Sequence, residues 1–138
     1  MPLLLAAFLL GCVAGLRTFT APAVLWLMRH TSMLAYVFGV AALAEYLADL
    51  LPKVPARTSA GPLVLRIASG AFCAWGLAWS GGGWTIAAAV AGALGAILGA
   101  YGGLALRTRA IAAIGPVPAA LAEDVVAVVG AVLIVAYA

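Results

Sequence analysis

The chain has 138 residues, 67% of them hydrophobic and 8% charged, with a mean hydropathy of +1.24. Soluble domains carry roughly 25% charged residues, so an ordinary soluble fold is excluded and one integral membrane domain over residues 1–138 is expected, with no room for a second. The net charge of +3 sits mostly near the ends of apolar runs, which points to membrane orientation and away from nucleic acid.

Crossing ~30 Å of hydrocarbon takes about 20 apolar residues, and five segments are predicted to do so. The first runs from Leu3 to Met28. Its "FLLGC" loosely resembles a lipoprotein cleavage box, but no basic stretch precedes it and the apolar run continues past Cys12, so a retained span is expected. Arg17 lies near the centre of this segment, where insertion costs roughly 2.5–3.5 kcal/mol. Pro22 removes a backbone donor and is expected to break the helix, leaving carbonyls near Arg17 and Thr18 to find partners, with Thr18 and Thr20 able to supply some.

The second span runs from Met33 to Leu51 and carries Glu45 and Asp49, four residues apart and so on one helix face. The linker "KVPARTSAGP" brings Lys53 and Arg57. The third span, Leu63 to Trp79, carries Arg66 about one turn inside, placed to snorkel to the interface. The fourth, Trp84 to Leu106, ends at "RTR", which contains Arg107 and Arg109. It is rich in glycine. The pairs Gly95/Gly99 and Gly99/Gly103, with Gly11/Gly15 in the first span, have the small-xxx-small spacing that lets helices approach closely, within the bundle or in a homodimer. The fifth span, from about Ile111 to Tyr137, opens with Pro116 and Pro118 and carries Glu123 and Asp124.

Five spans and the basic links give an N-terminus in the cytoplasm and a C-terminus outside a bacterial inner membrane. Trp26, Trp79 and Trp84 then gather at the outer boundary. Cys12 and Cys73 read as small packing residues, and His30 stands alone, so no metal or redox cofactor is expected. No nucleophile is paired with a base and no phosphate loop is present, so an enzyme is not expected.

Arg17 neutralises one acid, and Arg107 a second if it reaches inward. That leaves at least two of the four carboxylates Glu45, Asp49, Glu123 and Asp124 without a counter-charge. Such groups protonate, hydrate or hold a cation. A polar intramembrane site made of Arg17, Thr18, Thr20, Glu45, Asp49, Glu123 and Asp124 is therefore expected, of the kind found at broken helices in transporters. "ALAE" recurs at 42–45 and 120–123, which suggests an inverted repeat relating spans one and two to spans four and five. Two other functions compete. Arg57, Arg66, Arg107 and Arg109 could hold an anionic lipid headgroup, or the charges could serve only assembly, as in a structural or accessory subunit.

The stretches "AGLRTFTAPAVLW", "AEYLADLLPKVPARTSAGPLVLRIASGAFC", "GAYGGLALR" and "PVPAALAEDVVAV" resemble, in order, the motifs of a bacterial membrane family known as domain of unknown function 4126. The resemblance covers nearly the whole chain and implies a small multi-pass inner-membrane protein. It implies no activity. Many relatives have Lys after the aspartate of the second span, where this chain has Leu50, so an Asp–Lys pairing is not carried over.

Overall fold

The computed structural model describes residues 2–29, 33–48, 60–81 and 85–137. Among them are six helices and no strand: α1 (Leu3–Leu16), α2 (Thr20–Arg29), α3 (Met33–Ala48), α4 (Ala60–Gly81), α5 (Thr85–Ile114) and α6 (Pro116–Tyr137). The all-α expectation holds; the helices do not follow the five predicted segments one for one.

The first predicted span is two helices, separated at Arg17, Thr18 and Phe19. Arg17 closes α1 in an extended conformation, with φ −140° and ψ 117°. Pro22 is not at the break itself. It is the third residue of α2, where a helix has no internal partner for the missing N–H.

The helix of the fourth segment also runs on past "RTR". Arginine is a good helix former, and α5 continues through it to Ile114. The stop is Gly115, with φ 91°, a left-handed conformation that glycine adopts without a Cβ penalty; Pro116 then starts α6. At 1.5 Å per residue the 30 residues of α5 are about 45 Å long. Two helices, Thr85–Ile114 and the Pro118–Tyr137 part of α6, are long and apolar enough to cross a membrane by themselves. The apolar stretches of α1, α3 and α4 are shorter.

Small residues build the interior. α1 packs most extensively on α5, α4 lies against both, and α2 sits between α3 and α6. The glycines of α1 and α5 face each other. A Cβ at Gly11 would enter the Gly92 carbonyl, one at Gly95 the Phe8 carbonyl, and one at Gly99 the Cys12 carbonyl. The small-xxx-small faces are thus used within the chain, and the glycine argument for a homodimer lapses. Trp26 is buried among the helices, stacked on Phe72 with ring centroids 4.9 Å apart and edge-on to Phe38 at 5.7 Å. Large apolar side chains lie outside instead, on every helix: Leu5, Leu27, Val40, Val64, Ile86 and Val126 are all exposed.

Candidate functional site

The site is built around three residues that leave the helix. In a continuous helix each N–H bonds the carbonyl four residues earlier. The break and Pro22 remove several of these bonds between Ala14 and Pro22, and side chains from other helices replace them. Pro22 has no N–H for the Thr18 carbonyl; the Ser69 hydroxyl of α4 donates to it. The Thr18 N–H, released from Ala14, donates to Glu45 Oε1 of α3 at 2.9 Å. The Phe19 amide also faces that carboxylate. The Gly15 carbonyl, which would have accepted the Phe19 N–H, accepts from Arg66 Nη1 of α4 at 2.7 Å. A carboxylate thus caps the start of α2 and a guanidinium the end of α1, each at the end of the helix dipole that favours it.

Arg17 points the other way. It is fully buried, forms an ion pair with Asp124 of α6, and donates to the Ala120 carbonyl at 3.5 Å. The spacing of Ala120 and Asp124, one turn apart, presents both to one guanidinium. Arg66 and Arg17 both act electrostatically on Glu45, so α3, α4 and α6 converge on the break between α1 and α2. Thr20 is buried in the first turn of α2. Glu123 joins a neighbouring pair, 3.4 Å from Arg107 Nη1. That pair lines a cleft of about 180 Å³ between the end of α1, α5 and α6.

The predicted site residues therefore divide. Arg17, Thr18, Glu45 and Asp124 meet at the break, while Glu123 faces Arg107 beside it. Asp49 and Arg57 lie outside the described residues. Arg109 is exposed. Arg66 was expected to snorkel to a headgroup; it is 7% exposed and points inward. Its neighbours show why. Arg66, Gly70, Cys73 and Leu77 form the buried stripe of α4, at spacings of three and four. Ser69 shares that face and was missed, although the same periodicity contains it.

This placement changes the charge balance. Among the described residues the inward cations Arg17, Arg66 and Arg107 match the inward acids Glu45, Glu123 and Asp124 one for one. The count had assigned Arg66 to the interface; Asp49, its fourth acid, lies outside the described residues. No group of three or more His, Cys, Asp or Glu residues suited to a metal ion occurs among the described residues.

Comparison with family models, with curated proteins and with solved structures finds no match to this chain.

Proposed function

We propose that the chain is a small multi-pass inner-membrane protein, transporter- or channel-like, whose polar site for a proton, a cation or a small polar solute is the break between α1 and α2. One observation carries this: inside an apolar segment the helix is interrupted at residues 17–19, and the Thr18 N–H, the Thr18 carbonyl and the Gly15 carbonyl are held by Glu45, Ser69 and Arg66 of two other helices. Irregular backbone at membrane depth is tolerated where it is buried in protein or lines a cavity, and broken helices of this kind form transporter sites. The bilayer placement is supported by the two helices of spanning length and by the inverted packing, with alanine and glycine inside and leucine and valine outside. In lipid such a surface needs no cover. The proposal keeps membership of the 4126 family. It includes no catalytic step.

Ion pairs at the break can exchange partners: a proton on Glu45 or Asp124 releases Thr18 or Arg17 to a passing solute. The test is flux in proteoliposomes, with proton, alkali-cation and small-solute gradients read separately. The intact protein dissipates at least one gradient faster than empty vesicles, Glu45→Gln slows it tenfold or more, and Ile86→Ala, an exposed apolar change on α5, leaves it unchanged. Vesicles as tight as empty ones to every gradient refute the proposal.

The one-for-one charge match favours a second reading, a structural or accessory subunit held together by its ion pairs. Joint replacement of Arg17 by Met and Asp124 by Leu separates the two. A structural pair tolerates the exchange for apolar residues of similar size; a transport site loses its flux.

A further inference from the structure

Contacts on either side of the break give the direction of each arm. Arg17 meets Asp124 of α6, and Arg29 at the end of α2 donates from Nη2 to the Val135 carbonyl at 2.9 Å, eleven residues further along α6. α2 therefore runs parallel to α6. α1 runs the other way: a Cβ at Gly130, six residues past Asp124, would touch Val13, four residues before Arg17. α4 records the same reversal. The Gly15 and Thr18 carbonyls are held at Arg66 and Ser69. Ala7 of α1 shares a buried cluster with Ala74 and Ala78, while Trp26 of α2 reaches Phe72 and Gly76. Both arms thus follow α4 from the break toward Gly81. The chain enters the bundle along α1, turns at residues 17–19 and returns along α2.

The lengths fit a turn inside the bilayer. α1 has 14 residues and α2 has 10, and apolar helices of about 10–14 residues fall short of a crossing but suit re-entrant segments. Ser69, which holds the turn, lies nine residues after the start of α4, so the turn stops about 14 Å short of that end. Backbone that turns at membrane depth needs its polar groups taken up by protein. Here Arg17 and Thr18 are buried, and Glu45, Arg66 and Ser69 supply the partners.

We propose that α1 and α2 form a re-entrant hairpin, which enters and leaves the bilayer on one side with the polar break at its tip, and that the N- and C-termini share that side. α3, α4, α5 and α6 then make the crossings. The proposal rests on the bilayer placement above and not on transport. Arg107 and Arg109 approach the Gly115 turn, at the end of the bundle opposite Arg29 and Tyr137. α3 passes Trp26 at Phe38 and the break at Glu45, so it too runs toward that end, where α4 begins. The sequence that joins α3 to α4 carries Lys53 and Arg57. The positive-inside rule makes that end cytoplasmic, so both termini are outside. The five-segment layout assigns a different side to the N-terminus alone, which it places with Arg109.

The experiment uses the full chain in bacterial inner-membrane vesicles of both orientations. Single cysteines are placed at exposed positions in a Cys12→Ala, Cys73→Ala background and probed with a membrane-impermeant maleimide. The expected result is that Pro2→Cys, Met33→Cys and Tyr137→Cys react in right-side-out vesicles and Arg109→Cys only in inverted ones. Phe19→Cys, at the tip, reacts more slowly than Arg109→Cys. If the background misfolds, a protease-cleavable tag before the native chain reads the side of the N-terminus by protection. Pro2→Cys, or the tag, on the same side as Arg109→Cys overturns the hairpin. Phe19→Cys reacting as fast as Arg109→Cys overturns the re-entrant tip. Release of the protein from vesicles by alkaline carbonate overturns the bilayer placement itself, whereas retention with the N-terminus on the Arg109 side overturns only the hairpin.

Discussion

Glu45→Gln tests the side-chain replacement of helical bonds most directly. The wild-type carboxylate accepts the Thr18 N–H at 2.9 Å and faces the Phe19 amide at the start of α2. A hydrogen bond to a charged group contributes about 1.5–3 kcal/mol and to a neutral one about 0.5–1.5 kcal/mol, so neutralisation alone loses about 1 kcal/mol. Loss of a negative charge at a helix N-terminus adds about 0.3–1 kcal/mol. The expected destabilisation is therefore about 1–2 kcal/mol, before any effect of leaving Arg66 and Arg17 with one counter-charge fewer. Glu45→Ala also removes the acceptor and leaves amides unsatisfied, at about 1–3 kcal/mol more. The assay is reversible unfolding in mixed detergent micelles, followed by circular dichroism, for Glu45→Gln, Arg66→Met and the double variant. Residues in one polar network couple by about 0.5–3 kcal/mol, so the double variant is less destabilised than the sum of the singles. Wild-type stability in both Glu45 variants, or strict additivity with Arg66→Met, refutes the reasoning.

Three further outcomes follow from the packing. Asp124→Asn strands the buried Arg17 charge and lowers stability by about 3–5 kcal/mol, while Arg17→Met with Asp124→Leu recovers most of the loss; the same unfolding assay measures both. Gly99→Leu drives a side chain into the Cys12 carbonyl and destabilises by at least about 1–3 kcal/mol. By contrast, Gly102→Ala meets nothing within 4 Å and raises stability by up to about 1 kcal/mol through helix propensity, which a melting comparison of the two shows. Trp26→Ala vacates the contact with Phe72 and Gly76 and costs about 3–5 kcal/mol, read by the same unfolding series.

Composition made the helical class legible, and the cost of a central arginine singled out Arg17 before any fold was known. Pro22 pointed to the right region, a few residues beyond the actual break. The junction of α5 and α6 was placed too early because arginines look like a span boundary, while helical propensity runs through them until Gly115 permits a turn. Glu45 was recognised as significant, but its role was not. Charge counting seeks an opposite side chain, and Glu45 also engages backbone amides that only the break exposes. Arg66 depended on the rotation of α4, which the close approach of Gly70 to Gly92 fixes. A near-terminal position in one span says nothing about that rotation, although the small-residue stripe through Gly70 and Cys73 does. The expected inverted repeat makes Arg107 the counterpart of Arg17 and Glu123 that of Glu45; Arg17 pairs with Asp124 and Arg107 with Glu123.

Synthesis from the N-terminus gives the α1–α2 break a consequence for biogenesis. α1 and α2 alone measure about 21 and 15 Å, too short to cross the bilayer separately. The groups that accommodate the interruption belong to residues 45, 66 and 69, which the ribosome delivers later. Until then, a helix continued through residues 17–19 carries Pro22 in its interior, where the missing N–H and the crowding of the Thr18 carbonyl kink it. Glu45, Arg66 and Ser69 then hold that kink open as the break.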